Sequence, residues 1–270
     1  MNTESVLYLH KSWLDCEKNG MKANLSGADL KGLTLRGVNL SKASLIGTDL
    51  SGADLYGANL IEANLNKANL NGANLIEADL SKANLNGADL SEADLRRADL
   101  SGANLTGAYL SKADLRRADL SYADLIMADL SKADLNEANL SGANLTEADL
   151  RGAYLGKADL TGADLSEANL SGANLSWADL YGADLSGADL SGTDLRGVNT
   201  YYVIGKDIFT FQFRRHAGVF ADGVLTIGCR SMTPKMWLKK GSIIARQNGY
   251  TDDDISQHKS IIQYIIDTMT

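Results

Sequence analysis

The chain is poor in proline and cysteine, and it has no long hydrophobic run. Its 270 residues include one proline, two cysteines and 26 glycines, which excludes a proline-rich linker protein, a collagen and a disulfide framework. No stretch approaches the roughly 18 consecutive apolar residues of a membrane helix, and the N-terminus lacks the pattern of a secretory signal. We therefore expect a soluble cytoplasmic protein without membrane contact, whose Cys16 and Cys229 are reduced thiols.

Catalytic and metal-binding signatures are lacking as well. The sequence contains no G-x-x-x-x-G-K-[ST], G-x-S-x-G, H-E-x-x-H or C-x-x-C motif. A nucleophile pair of Cys229 and His216 is the remaining enzymatic hypothesis, and the plainer interpretation is a small core cysteine and a histidine in a turn. We predict no enzyme, no cofactor and no metal ion.

What the chain has in abundance is a five-residue repeat. Leucine recurs every five residues without a gap from Leu25 to Leu195, and the column two positions earlier, followed from position 23 to position 198, is alanine at 31 of its 36 sites. Asp or Asn almost always lies between them, so the unit reads A-[D/N]-L-x-x. The exceptions in the alanine column are Leu33, Val38, Thr48, Thr193 and Val198.

A period of five fits neither a helix nor a long strand, because both would scatter the leucines over opposite faces. The pattern is satisfied if Ala and Leu point inward from a short extended segment, Asp or Asn points outward, and the x-x pair makes a turn. Four such sides close a coil of about 20 residues, and coils stack at roughly 4.8 Å. About nine coils would then form a rod on the order of 40 Å long.

Runs such as ANLSGANL (138–145) and ADLSGADL (183–190) resemble the pentapeptide-repeat family, over about 177 of the 270 residues. The resemblance implies a right-handed, four-sided β-helix. The start of the chain and its C-terminal region also resemble those of phage-associated bacterial members.

The sequences on both sides of the repeat predict elements that cover the two ends of the coil. Residues 4–19 read as an amphipathic helix with Thr3 as N-cap and Gly20 in the left-handed C-terminal position. The apolar stripe of this helix comprises Val6, Leu9, Trp13 and Leu14.

The composition changes after Asn199, because all four phenylalanines follow it. Alternating Phe predicts a strand over Asp207–Phe213, with Val224–Cys229 as its partner. One helix is expected from Thr233-Pro234 to about Gln247, and a last one from Asp252. The buried stripe of the last helix would be Ile255, Ile262, Ile265, Ile266 and Met269.

We therefore predict an all-β solenoid, a right-handed quadrilateral β-helix, in three parts. They are an N-terminal capping helix (1–22), the pentapeptide-repeat β-helix (23–199) and a small C-terminal α+β capping domain (200–270). The isoleucine-rich last helix predicts a homodimer through the C-terminal domain.

The repeat region is acidic, with 25 acidic and 14 basic residues between positions 23 and 199. Folding on a 20-residue coil stacks aspartates into two adjacent outward columns. The family resemblance implies DNA mimicry, because fluoroquinolone-resistance members bind DNA gyrase; the alternative is that Asp is simply a soluble outward residue. The two columns are Asp79, Asp99 and Asp119, and Asp94, Asp114 and Asp134.

Two further groups are candidates for contact with a partner. Arg96, Arg97, Arg116 and Arg117 come together on adjacent coils, where they either grip an anionic partner or neutralise Asp94, Asp99, Asp114 and Asp119. Exposed apolar side chains are the second group, although isolated ones are common on surfaces. They are Tyr122, Ile126 and Met127 around one corner, and Trp177 with Tyr181 around another.

The sequence as a whole predicts a non-catalytic scaffold, a rigid rod that presents outward side chains to a protein partner. The alternative is a DNA mimic that inhibits a DNA-binding enzyme such as gyrase. Direct nucleic-acid binding is not expected, because the rod is acidic, and the sequence does not identify the partner.

Overall fold

The protein is described here by a computed structural model. It describes residues 3–17, 19–200, 203–204, 209–213, 216–221, 224–227 and 230–232, and the positions 235, 237–239, 255, 259 and 262–263.

The repeat region is a coil of 20 residues per turn, as the sequence predicts. Parallel β-bridges join each central residue to the one 20 positions later, from Asn24 with Ser44 to Asp184 with Ile204. Each side contributes a single bridging residue, so the sides are isolated bridges and not longer strands. The Leu45 N–H donates to the Asn64 carbonyl (2.7 Å), and the Asn64 N–H donates to the Ala43 carbonyl (2.9 Å). The same pair of bonds recurs on all four sides.

The leucine column forms the core, and its burial confirms the inward assignment. Every leucine from Leu25 to Leu195 at five-residue spacing is buried. Leu33, in the alanine column, departs from the predicted inward position and is 40% exposed. It lies in the first coil, and no other coil precedes that one in the described part of the chain. Thr48 is buried and donates its hydroxyl to the Leu25 carbonyl (2.8 Å), which satisfies the polar group inside the core.

Each corner is a four-residue turn. The Ala98 N–H, for example, donates to the Leu95 carbonyl (3.0 Å), and the second corner residue has a positive φ, as a type II turn requires. Glycine occupies 18 of these second positions, and other residues occupy 17 with φ between 54° and 64°. The left-handed region costs a non-glycine residue roughly 1–2 kcal/mol.

The side chain of the residue between Ala and Leu stabilises the turn that follows it. The Ser101 N–H donates to Asp99 Oδ1 (2.8 Å), and the Ser121 N–H donates to Asp119 Oδ1 (2.9 Å). These side chains are half-buried, so they are more than solvated outward groups. Asp and Asn suit this position because both accept a backbone N–H two residues on.

The N-terminal helix α1 spans Thr3–Leu14 and is shorter than predicted. The left-handed residue after it is Cys16 (φ 57°) and not Gly20. At Gly20 a Cβ would lie 2.2 Å from the Trp13 backbone nitrogen, so glycine is needed there for close approach of the chain.

Helix α1 lies against the first coil. Val6 and Leu7 pack on the leucine core, and the predicted stripe is half-buried. The fully buried side chain is His10, whose Nδ1 accepts the Ala23 N–H (3.1 Å) and whose ring stacks on Trp13 with centroids 5.6 Å apart.

The C-terminal region contains a four-stranded antiparallel sheet in the order β1-β2-β3-β4. The strands are β1 (Phe209–Phe213), β2 (His216–Ala221), β3 (Val224–Ile227) and β4 (Arg230–Met232).

The sheet confirms a strand at β1 but corrects its pairing. Strand β1 pairs with β2, whereas β3, the expected partner, pairs with β2 and β4. His216 begins β2 opposite Phe213 and does not lie in a turn. Cys229 lies outside the described residues.

The two predicted C-terminal helices are described in part. Positions 235, 237–239, 255, 259 and 262–263 are helical, and Trp237, Ile255 and Ile262 are buried. The rest of both helices, including Ile265, Ile266 and Met269, lies outside the described residues.

Candidate functional site

The four predicted arginines meet at one corner of the coil, which we call the arginine corner. Together they line a cavity of about 500 Å³ with Ile76, Asn136 and Glu137. The arginine corner comprises residues 36–37, 56–57, 76–77, 96–97, 116–117, 136–137, 156–157, 176–177 and 196–197.

Arg96 and Arg116 are held by the aspartates two residues before them. The Arg96 Nε and Nη2 donate to the two carboxylate oxygens of Asp94 (2.8 and 2.7 Å), and Arg116 grips Asp114 in the same way (2.8 and 2.5 Å). Bidentate pairs of this kind fix the guanidinium plane. The hydrogen bonds that Asp94 and Asp114 accept raise the pKa of Arg96 and of Arg116.

Arg97 and Arg117 turn away from each other. Arg97 Nη1 lies 3.4 Å from Glu77 Oε1 on the preceding coil, and Arg117 Nε lies 2.8 Å from Glu137 Oε2 on the following coil. The Arg117 hydrogen bond lowers the pKa of Glu137. The divergence of the two side chains leaves the cavity between them.

The carboxylates that neutralise the arginines are only in part those expected. Asp94 and Asp114 do so, but Asp99 and Asp119 instead accept the backbone N–H groups of Ser101 and Ser121. Glu77 and Glu137 take their place. Asp134 is a fifth carboxylate at this site, with its Oδ2 3.6 Å from Arg116 Nε, so the four cations are fully balanced.

The arginine corner continues beyond the cavity towards the N-terminus. The Tyr56 hydroxyl donates to Glu77 Oε2 (2.6 Å), and this bond, more than Arg97, lowers the pKa of Glu77. The Arg36 guanidinium lies 4.4 Å above the Tyr56 ring, within the range of a cation–π contact.

Half of the basic side chains of the repeat lie on this one corner of four. The corner carries seven of the 14 basic residues between positions 23 and 199. They are Arg36, Arg96, Arg97, Arg116, Arg117, Lys157 and Arg196.

The backbone at the arginine corner is also the most strained. Six consecutive coils place a non-glycine residue in the left-handed second position there, whereas none of the other corners within residues 23–200 has more than three in succession. Strained residues persist where something other than the local fold requires them. The six residues are Glu77, Arg97, Arg117, Glu137, Lys157 and Trp177.

The two aspartate columns stack as predicted. Bridges join Asp79 to Asp99 and Asp99 to Asp119, and likewise Asp94 to Asp114 and Asp114 to Asp134. The second column pairs with Arg96 and Arg116, so much of its charge is compensated. Burial opposes ionisation of Asp114, but the side-chain and backbone hydrogen bonds of Arg116 outweigh it and lower the pKa.

The exposed apolar residues lie on neighbouring corners, which corrects their predicted grouping. Tyr122 (76% exposed) and Met127 (58%) occupy consecutive corners on either side of the Asp124 bridge, and Ile126 beside Met127 is half-buried.

Trp177 (69% exposed) lies on the arginine corner, and Tyr181 lies on the next corner. A Cβ at Gly197 would lie 2.6 Å from the Trp177 ring, so the indole covers this glycine.

Several residues of the surface escaped the prediction from sequence. Tyr56, Ile76, Glu77 and Glu137 belong to the arginine corner, and the 20-residue spacing from 96–97 and 116–117 would have found them. The described residues contain no group of three His, Cys, Asp or Glu side chains that could hold a metal ion. Among them no helix is long and apolar enough to span a bilayer.

The family profile "Pentapeptide repeats" matches the chain in eight copies. The matched residues are 23–60, 58–97, 98–136, 123–162 and 158–197. The chain belongs to the pentapeptide-repeat family. Membership implies that the coil is a right-handed β-helix.

Two solved structures illustrate the similarity. HetL, a pentapeptide repeat protein involved in heterocyst differentiation regulation in the cyanobacterium Nostoc sp. strain PCC 7120, is 38% identical over 77% of this chain and 98% of its own, with a TM-score of 0.41. A trypsin-treated variant of QnrB1, a plasmid-mediated fluoroquinolone resistance protein, is 25% identical over 64% of this chain and 90% of its own, with a TM-score of 0.56. A search of curated proteins gave no match.

Proposed function

We propose that this pentapeptide-repeat protein is a non-catalytic scaffold, a rigid rod whose arginine corner binds a protein partner. The observation that carries the proposal is the run of six left-handed non-glycine residues on that corner. Glycine would satisfy the turn at lower backbone cost, as it does at 18 other second positions. The side chains at this corner are therefore better explained by what they contact than by folding.

The composition of the arginine corner supports a protein interface. Arginine, tyrosine and tryptophan are the residues that most often dominate binding energy at such interfaces, and the corner carries Tyr56, Trp177 and six arginines. The continuous backbone ladder beneath them holds the side chains at fixed spacing, which lowers the ordering cost of binding.

The test is capture of a partner from bacterial lysate by three versions of the chain. Arg97→Gly/Arg117→Gly removes two side chains while keeping a residue that the left-handed turns accept. Its matched control is Lys112→Gly/Lys132→Gly, which removes two cations from equivalent second positions (both φ 59°) on another corner.

A partner retained by the wild type and the lysine variant but lost by the arginine variant supports the proposal. A partner retained equally by all three versions, or lost equally by both variants, contradicts a binding site on the arginine corner.

DNA mimicry of the kind expected for gyrase is the second candidate. It is favoured by the uncompensated Asp79–Asp99–Asp119 column and by the similarity to a fluoroquinolone resistance protein. The charge density of the rod is lower than that of DNA, which weakens this candidate. B-DNA carries one negative charge per roughly 1.7 Å, or about 24 over 40 Å, whereas residues 23–199 carry a net charge of −11. Inhibition of gyrase supercoiling at tens of micromolar protein would establish it, and unchanged supercoiling would remove it.

For the ends of the chain we propose capping roles, with boundaries near residues 22 and 199. A homodimer through the C-terminal domain stays a prediction; Ile255 and Ile262 are buried in the single chain, which does not favour contact through these two. Sedimentation as a clean monomer at micromolar concentration would exclude the dimer. Cys229 chemistry with His216 would be excluded by a thiol that resists labelling in the folded protein.

A further inference from the structure

The cavity on the arginine corner is lined by two cations that extend in opposite directions along the coil. Arg97 reaches back to Glu77 and Arg117 reaches forward to Glu137, although the two arginines are on stacked coils with backbones linked by hydrogen bonds. The positive charges of Arg97 and Arg117 on adjacent coils repel each other. An anionic group between Arg97 and Arg117 would remove this repulsion.

The guanidinium groups around the cavity retain donors for such a group. A guanidinium has five N–H donors. Arg96 and Arg116 each commit Nε and Nη2 to an aspartate, which leaves both Nη1 hydrogens of each. Arg97 uses one Nη1 contact and Arg117 uses Nε. Because the aspartates fix the planes of Arg96 and Arg116, these donors are oriented before a ligand binds.

The order of charges along the corner indicates what kind of partner fits. Consecutive second positions read Glu77, Arg97, Arg117, Glu137, a negative–positive–positive–negative series at the coil spacing of roughly 4.8 Å. A second copy in register would oppose like charges in either orientation. The complementary partner places two adjacent carboxylates at the centre.

The size of the cavity favours a peptide over a small anion. Its volume of about 500 Å³ is on the order of fifteen times the share of one water in the liquid. Ile76, Asn136 and Glu137 also line it, so an apolar wall and an amide lie beside the donors, and the Glu137 carboxylate is paired with Arg117. A segment of two or three residues with its backbone would fill this space.

We infer that the arginine cavity binds an extended acidic segment of the partner protein, with two neighbouring carboxylates between Arg97 and Arg117. This inference rests on the proposed function and specifies its ligand. Arg96 and Arg116 present Nη1 donors to the same segment, and Ile76 contacts its aliphatic carbons.

The experiment measures fluorescence anisotropy of a fluorescein-labelled, end-blocked peptide that carries two adjacent glutamates flanked by lysines, titrated with the full chain at about 0.15 M salt. We expect saturable binding by the wild type and at least about tenfold weaker binding by Arg97→Gly/Arg117→Gly. The Lys112→Gly/Lys132→Gly control should change the affinity by less than about twofold. No binding by the wild type, or equal weakening in both variants, would overturn the inference.

A competition arm separates an acidic segment from a simple anion site. Inorganic phosphate, added at the concentration of the peptide's carboxylates, should leave the anisotropy unchanged; displacement by phosphate would overturn the requirement for a segment. The lysate capture is independent of this result. A partner lost only by the arginine variant, together with failure of the peptide to bind, would retain the scaffold and reject the acidic segment.

Discussion

The arginine corner and the corner before it in the chain share one backbone but differ in their side chains. The second of these, which we call the serine corner, has serine at six of its nine first positions and at most three successive non-glycine second positions. Both have the same turn and the same bonds between coils. The serine corner comprises residues 31–32, 51–52, 71–72, 91–92, 111–112, 131–132, 151–152, 171–172 and 191–192.

The serine corner shows that the coil does not need large side chains at a corner. The serine corner even has a cross-coil ion pair, Lys112 with Glu92 (2.9 Å), so ion pairing alone does not distinguish the two. Among the corners within residues 23–200, what is particular to the arginine corner is the combination of six strained positions and four converging arginines.

The largest losses of stability should come from replacing core leucines, and they should be equal beneath both corners. Leu95 precedes the arginine corner and Leu90 precedes the serine corner, and both are fully buried. Leu95→Ala and Leu90→Ala should each lower the free energy of unfolding by about 3 kcal/mol, because each leaves a cavity in the core. Urea unfolding measures both, and a difference of several kcal/mol between them would contradict a uniform core.

A smaller effect is expected from placing alanine where glycine makes the turn. Gly57 on the arginine corner and Gly152 on the serine corner both have positive φ, and an added Cβ would meet no clash at either. Gly57→Ala and Gly152→Ala should each cost about 1 kcal/mol, from left-handed backbone strain alone. Unchanged thermal stability in either variant would mean that the turn relaxes.

Replacing a left-handed lysine by glycine should change the stability of the two corners equally little. Lys157 on the arginine corner and Lys132 on the serine corner have φ of 60° and 59°. Lys157→Gly and Lys132→Gly should leave the free energy of unfolding within about 1 kcal/mol of wild type, because relief of strain offsets the flexibility of glycine. A loss well beyond that for Lys157→Gly alone would give this side chain a folding role.

The smallest change in stability should come from pH, and it should occur in different pH ranges for helix α1 and for the coil. Burial, aided by Lys22 and opposed by the Ser41 backbone, lowers the pKa of His10. The unfolded chain therefore takes up the His10 proton first as pH falls below about 6.5. Stability should decline from there down to the folded pKa and then level off.

The coil should lose stability at lower pH than α1. Hydrogen bonds from Ser166 and Ser191 lower the pKa of Asp164 and Asp189. Their contribution is present above about pH 3.8 and is lost as pH falls through the folded pKa values. Thermal melts of wild type and His10→Gln from pH 8 to 3 measure both windows. Loss of stability near pH 6 that persists in His10→Gln would contradict the assignment to this histidine.

The sequence predicts the coil well because each coil is a copy of the last. The spacing of Leu25 to Leu195 determines the 20-residue turn, the core and the columns, so Arg96, Arg97, Arg116 and Arg117 could be placed together in advance. Their partners could not, because whether Arg97 reaches Glu77 or Asp99 depends on the direction of a long side chain at a left-handed residue.

The ends were harder to predict, since they do not repeat. The sequence pattern assigned the end of α1 to Gly20, whereas the left-handed residue is Cys16, and the close approach to Trp13 explains why glycine is at position 20. Strand β2 was missed because its sequence, HAGVFA, is rich in small residues and lacks clear alternation.

The most direct test of the arginine corner places a photo-cross-linking residue there without touching an arginine. Ile76 on the arginine corner and Ile61 on the next corner along the chain are both half-buried first-position isoleucines, so benzoylphenylalanine at either is a matched pair. We predict that a protein in bacterial cells cross-links to position 76 and not to position 61. Equal cross-linking at both positions, or cross-linking at 61 alone, would contradict a partner site on the arginine corner.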